Sequence, residues 1–154
     1  MGVDMHDFLP LVGVWSEPVK NEVEKGAIRK FAQAIGDDNP LYSNEEAAKK
    51  SRYGRLVAPP TFSRTFDYGR IPNLVLPTAG LIHGEQSYVF HRPILAGDVL
   101  YASQALVDVK ERSGKLGRMI ILLFSYKVEN EAGDLVQTAT STIIYRPEGG
   151  NSHD

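Results

Sequence analysis

Residues 98–146 read DVLYASQALVDVKERSGKLGRMIILLFSYKVENEAGDLVQTATSTIIYR, and this stretch decides the fold. It holds three long runs rich in β-branched and aromatic residues, Asp98–Lys110, Leu116–Glu129 and Leu135–Arg146. Ser113-Gly114-Lys115 and Ala132-Gly133 lie between them as turn material, so the runs read as consecutive antiparallel strands. In the first run Val99, Tyr101, Ala105, Val107 and Val109 mark one face and Gln104, Asp108 and Lys110 the other. That alternation is expected of a half-buried strand. Met119–Phe124 is apolar on both faces, which places it centrally, with a helix over one face and a partner subunit over the other.

Upstream, Leu81–His91 is a fourth strand-like run, set off from the rest by Pro93–Gly97. Before it the period changes. Across Glu24–Gly36, Ile28, Phe31, Ala32 and Ile35 fall at helical spacing, and Gly36 is placed to end the helix in a left-handed conformation. Asn44–Lys50 opens on a capping-box pattern, Ser43-Asn44-Glu45-Glu46, with Lys49 and Lys50 in its last turn. Pro59-Pro60 predicts a third helix start, with Phe62 and Phe66 facing inward and a segment of about eleven residues lying across the curved sheet. Helices followed by consecutive strands make an α+β plan. Met1–Leu9 lacks a period and Glu148–Asp154 reads as a tail. The expected division is an N-terminal segment over 1–15, one domain over 16–147, and a disordered tail over 148–154.

The chain of 154 residues suits a single domain, and its 42% hydrophobic and 23% charged residues are those of a soluble protein. Seventeen basic against nineteen acidic residues leave a net charge of -2, giving no electrostatic case for nucleic acid or an anionic membrane. Cysteine is absent, which excludes disulfides, thiolate metal sites and a cysteine nucleophile. A cytoplasmic location is expected: Met1–Val14 lacks a secretory-signal pattern, and the longest apolar run, Met119–Phe124, is too short to cross a bilayer.

The densest polar cluster is Gly36-Asp37-Asp38-Asn39-Pro40-Leu41-Tyr42, between the first two helices. Pro40 fixes the turn and holds Asn39 extended. Taken locally, the cluster also fits a plain solvated turn. Along Leu81–His91, the side chains of His83, Glu85 and His91 share a strand face if no bulge intervenes. A His–Glu pair can orient an imidazole for acid–base work, though half-exposed strands also carry such residues for solubility. The spacing of the two histidines offers no third metal ligand, so no metal is expected. There is no nucleophile elbow, no phosphate-binding loop and no dinucleotide fingerprint, and Ser63 reads as an ordinary first-turn serine.

Phe31-Ala32-x-Ala34-Ile35-Gly36-Asp37-x-Asn39-Pro40-Leu41-Tyr42, followed by Ala47-Ala48, resembles the hydratase signature of the MaoC-like, (R)-specific enoyl-thioester hydratases and dehydratases. Ala58-Pro59-Pro60-Thr61-Phe62 and Phe90-x-Arg92-Pro93-x-x-x-Gly97-Asp98 resemble the next two landmarks of that family, particularly of its N-terminal MaoC or FAS1-like dehydratase branch. The chain is similar also to the subunits of two-component 3-hydroxyacyl-carrier-protein dehydratases. The resemblance spans about Val19 to Arg146. It implies a single hotdog fold: a long central helix wrapped by a curved antiparallel sheet, here with an added N-terminal helical segment.

It further implies action on 2-enoyl or 3-hydroxyacyl thioesters of CoA or acyl carrier protein, as in fatty acid metabolism, with no cofactor. Pairing with a second hotdog subunit, as a homodimer or heterodimer, is also implied. Carried over residue by residue, the catalytic positions are Asp37, Asn39 and Tyr42, and Pro60, Thr61 and Phe62 form the helix start that polarises the thioester carbonyl. His83 is added as the one in-chain substitute for a base. Tyr42 stands where the family has histidine. A phenol with a pKa of about 10 is a poor base at neutral pH, whereas an imidazole near 6.5 serves both directions of proton transfer. Two further readings therefore stay open: a non-catalytic acyl-binding subunit that pairs with an Asp/His hydratase, and a hotdog thioesterase.

Overall fold

The computed structural model describes residues 4–115 and 117–147. Among the described residues five antiparallel strands form one sheet: β1 (Val19–Glu22), β2 (Leu81–Phe90), β3 (Val99–Gly114), β4 (Gly117–Asn130) and β5 (Leu135–Tyr145), in the spatial order β1-β3-β4-β5-β2. β4 is the middle strand, as its doubly apolar sequence requires. Ile120, Leu122 and Phe124 are buried on its inner face, and Met119, Ile121 and Leu123 are half-buried on the other. Among the described residues no helix is long and apolar enough to cross a membrane.

Strand parity on β3 differs from the sequence expectation. Leu100, Ala102 and Leu106 face the core, while Tyr101 and Val107 are half-buried. A bulge between Leu106 and Asp108 then shifts the register, so Val109 rejoins the inner face. One extra residue exchanges the two faces of everything beyond it, and simple alternation cannot anticipate that.

Among the described residues three short α-helices precede β2: α1 (Met5–Phe8), α2 (Lys25–Ala34) and α3 (Glu45–Lys50). α1 overturns the expectation of a loose N-terminus up to Leu9. It is capped by Asp4, whose side chain accepts the His6 N–H, and it buries Phe8 at 2% exposure. A single turn is too short to show a helical period. α2 buries Ile28 and Ala32, but Ile35 is half exposed because the helix has already ended there. Gly36 follows at φ +72, the left-handed stop its position suggested. Asn44 caps α3 by accepting the Glu46 and Ala47 N–H groups, and Glu45 pairs with Lys25 and Arg29 to dock α3 on α2.

The long central helix is not formed. Pro60–Thr65 is a six-residue 3-10 segment, and the chain leaves it extended at Phe66. Local hydrogen bonding competes with helix growth here. Thr65 Oγ1 donates to the Phe62 carbonyl, the Tyr68 hydroxyl donates to the Ser63 carbonyl, and Asn21 holds Asp67 through backbone bonds in both directions. Gly69, at φ +75, then passes so close to Glu17 that a Cβ would fall 2.9 Å from its carbonyl oxygen.

The truncated segment divides the core. One apolar cluster joins Ile28, Ala48, Leu56 and Phe62 to Leu100 and Val128; the other joins Phe8 and Ile71 to Leu106, Ile120, Leu122 and Phe124. Between them the inner sheet face mixes polar and apolar side chains. Successive rows across β2, β5 and β4 read Phe90–Gln137–Val128, Tyr88–Ala139–Tyr126 and Gln86–Ser141–Phe124. The expected tail at 148–154 lies outside the described residues.

Candidate functional site

The loop after α2 is built from nested side-chain-to-backbone bonds. Asp37 Oδ1 accepts the Asn39 N–H at 3.1 Å, and Asn39 Oδ1 accepts the Leu41 N–H at 3.0 Å. Asn39 thereby starts a short 3-10 turn, Pro40–Tyr42, with Pro40 at the position where a missing N–H costs nothing. The Leu41 carbonyl accepts the Val57 N–H, and Ala58 and Ala96 tie the next segment to the chain around Ile94. His91 and Arg92 donate in turn to the Val136 carbonyl. Four segments distant in sequence are thus fixed around one cleft of about 390 Å³.

Asn39, Tyr42 and Pro60 line this cleft, together with Tyr53, Phe90, Arg92 and Gln137. Burial, reinforced by the negative charge of Asp37, raises the Tyr42 phenol above its usual value. The hydroxyl therefore stays protonated at neutral pH, able to donate a hydrogen bond but unsuited to removing a proton. The remaining site candidates are placed differently. Asp37 is exposed, its carboxylate turned back onto the Asn39 backbone, and it does not line the cleft. Phe62 is buried edge-on against Phe31 and Phe66, and its N–H is already bonded to the Pro59 carbonyl, so it supports the cleft from behind. Thr61 is half-buried beside it without lining the cleft. His83 lies on the wall of a second cavity, and the bulge between His83 and Glu85 removes the expected shared face. Among the described residues no group of three His, Asp or Glu side chains is arranged to hold a metal.

Two residues outside the sequence candidates connect the cavities. Gln137, 2% exposed, lines the cleft and donates from Nε2 to Ser63 Oγ at 2.8 Å. Ser63, 1% exposed, lines the second cavity of about 270 Å³. This buried hydrogen bond is the wall between them. Gln137 carried a legible signal: it is a polar residue at the inward parity of Ala139, Ser141 and Ile143. Ser63 carried none, since its burial depends on β5 arriving over it.

A five-stranded antiparallel sheet with a cleft at the start of a short 3-10 segment is consistent with the hotdog fold of the MaoC-like dehydratases. The chain belongs to the FAS1-like dehydratase domain family, whose sequence pattern matches residues 10–139. It is 36% identical over 138 residues to a UPF0336 protein of Parafrankia sp., covering 86% of this chain and 89% of that one. A chain from the structure of C-terminally truncated HadBC, a 3R-hydroxyacyl-ACP dehydratase complex of Mycobacterium tuberculosis, superposes with a TM-score of 0.68 and 31% identity. That match covers 85% of this chain and 93% of the other. A chain of the ChsH1–ChsH2 complex of the same organism shares the fold at a TM-score of 0.75 and 22% identity, over 96% and 93% of the two chains.

Proposed function

We propose that this chain is one subunit of a two-subunit hotdog hydratase/dehydratase acting on 2-enoyl or 3-hydroxyacyl thioesters of CoA or acyl carrier protein. It holds the thioester in the Asn39–Tyr42 cleft, and a second hotdog subunit supplies the proton-transfer pair. The observation that carries this reading is Tyr42. Moving water across a carbon–carbon double bond requires a group that both accepts and returns a proton, and the cleft presents a phenol held protonated instead. One oxygen of the nearby Asp37 carboxylate accepts the Asn39 N–H and shapes the loop. Tyr42 suits orienting a substrate oxygen rather than activating it.

The partner is supported by β2, an outermost strand of the sheet that leaves Ile82, Val89 and Phe90 about half exposed. An edge of that kind is an exposed pairing surface. Similarity to a chain of the HadBC dehydratase complex points the same way. The test is an absorbance assay of enoyl-CoA hydration with the chain alone and with a co-encoded hotdog chain retaining the Asp/His pair. Activity is expected only for the mixture, and Asp37→Asn in this chain should leave it largely intact. Full activity of the isolated chain, abolished by Asp37→Asn, would show a self-sufficient hydratase and overturn the proposal.

A further inference from the structure

Gln137 has hydrogen-bonding capacity that the wall does not use. A side-chain amide offers two N–H donors and an acceptor oxygen. Nε2 donates to Ser63 Oγ at 2.8 Å, and among the described residues no donor pairs with Oε1. No side-chain nitrogen or oxygen of the described residues is both buried and without a partner. Oε1 therefore opens onto the cleft that Gln137 lines, although the residue as a whole is only 2% exposed.

The cleft is graded in depth. Asn39, Pro60 and Arg92 are exposed at its mouth, and Tyr42 and Tyr53 are half-buried. Ala58, Pro59, Ile94 and Gln137 are buried and form its floor, and Gln137 is the polar member of those four. The bond to Ser63 fixes the amide, so the acceptor is held in place before anything binds. An acceptor oxygen on an apolar floor pairs only with a donor. A saturated chain or a carbon–carbon double bond offers none, and displacing water from Oε1 with either leaves the oxygen unpaired. A hydroxyl satisfies it, and the hydroxyl oxygen can accept in turn from the Tyr42 phenol of the same cleft.

We infer that Gln137 is the specificity-determining residue of this cleft: its Oε1 accepts the hydroxyl of a 3-hydroxyacyl thioester, so that this form binds in preference to the saturated and 2-enoyl forms. The inference rests on the thioester reading above and adds which of the two thioester forms the cleft recognises.

Calorimetric titration of the full chain with each enantiomer of 3-hydroxybutyryl-CoA, with butyryl-CoA and with crotonyl-CoA tests this, since CoA and chain length are constant. One enantiomer should bind about tenfold or more tightly than butyryl-CoA and crotonyl-CoA. In Gln137→Leu and in Gln137→Met that ratio should fall to about twofold or less, with butyryl-CoA bound at least as well as before. A merely structural role would instead weaken every ligand together and leave the ratio unchanged. Gln137→Glu, which keeps an acceptor oxygen, should retain most of the preference. Equal binding of all four ligands by the parent chain refutes the inference and leaves the thioester reading standing. A preference that survives in both apolar variants, or is lost as fully in Gln137→Glu, refutes the assignment to the Gln137 oxygen. Binding of no thioester removes the thioester reading and this inference with it.

Discussion

Replacing Ser63 by alanine isolates one buried hydrogen bond. The Oγ accepts from Gln137 Nε2 at 2.8 Å, and the two residues are 1% and 2% exposed. The Tyr68 hydroxyl bonds the Ser63 backbone carbonyl, not its side chain, so that tie persists in the variant. Ser63→Ala therefore strands an amide N–H inside the wall between the two cavities, at a cost of about 1–3 kcal/mol. For a domain of this size each kcal/mol lowers the melting temperature by about 2–4 °C, so a drop of roughly 2–12 °C is expected. Gln137→Leu, close in volume, removes the stranded group, and Ser63→Ala/Gln137→Leu should be less destabilised than the sum of the single variants by about 1 kcal/mol or more. Thermal and urea unfolding followed by circular dichroism provide the four stabilities. If Ser63→Ala lies within about 0.5 kcal/mol of the parent and the cycle is additive, the wall is not held by this bond and the reasoning fails.

Three further outcomes follow from other parts of the molecule. Burial pushes the Tyr68 phenol up to about 12, above its unfolded value near 10. The folded state then holds the proton longer, so stability is constant below about pH 10 and falls on the way to pH 12 by about 2 kcal/mol, a slope that Tyr68→Phe should reduce in urea titrations at alkaline pH. Asp98 accepts the Leu95 N–H at 2.9 Å and pairs with Arg55 at 3.3 Å, closing the turn before β3. Asp98→Ala should cost about 1–2 kcal/mol in chemical denaturation, whereas Arg55→Ala, losing an exposed pair and an exposed bond to the Ala96 carbonyl, should cost less than about 1 kcal/mol. Equal losses would show that the contacts of Arg55, not the turn bond, matter. Val89→Lys places a charge on the open edge strand, where Val89 is 56% exposed. Sedimentation should show loss of the subunit complex with the melting temperature nearly unchanged; an intact complex would place the partner elsewhere.

Much of the fold was legible because its determinants are local. The strand runs, their glycine turns and the Gly36 stop each depend on residues close in sequence, whereas the cap of α3 falls on Asn44 rather than on Ser43 of the expected capping box. The Asp37–Tyr42 loop was legible for the same reason, since Asp37 and Asn39 bond backbone groups two residues ahead. α1 and β1 were not, as each is only four residues long and shows no measurable period. The bulges at Leu106 and His83 were also silent, although they decide which side chains point inward.

By itself the sequence determined the family and the antiparallel plan, and it showed a phenol at the motif position where acid–base chemistry needs an imidazole. Only the tertiary structure decided that the central segment stops after six residues, that Asp37 bonds the Asn39 backbone without lining the cleft, and that Gln137 and Ser63 meet between two cavities. Periodicity and capping act over a few residues, so they survive in a linear reading. Burial and hydrogen-bond partnership at Ser63 are set by a strand 74 residues away in sequence, and exist only once the sheet has closed over the segment.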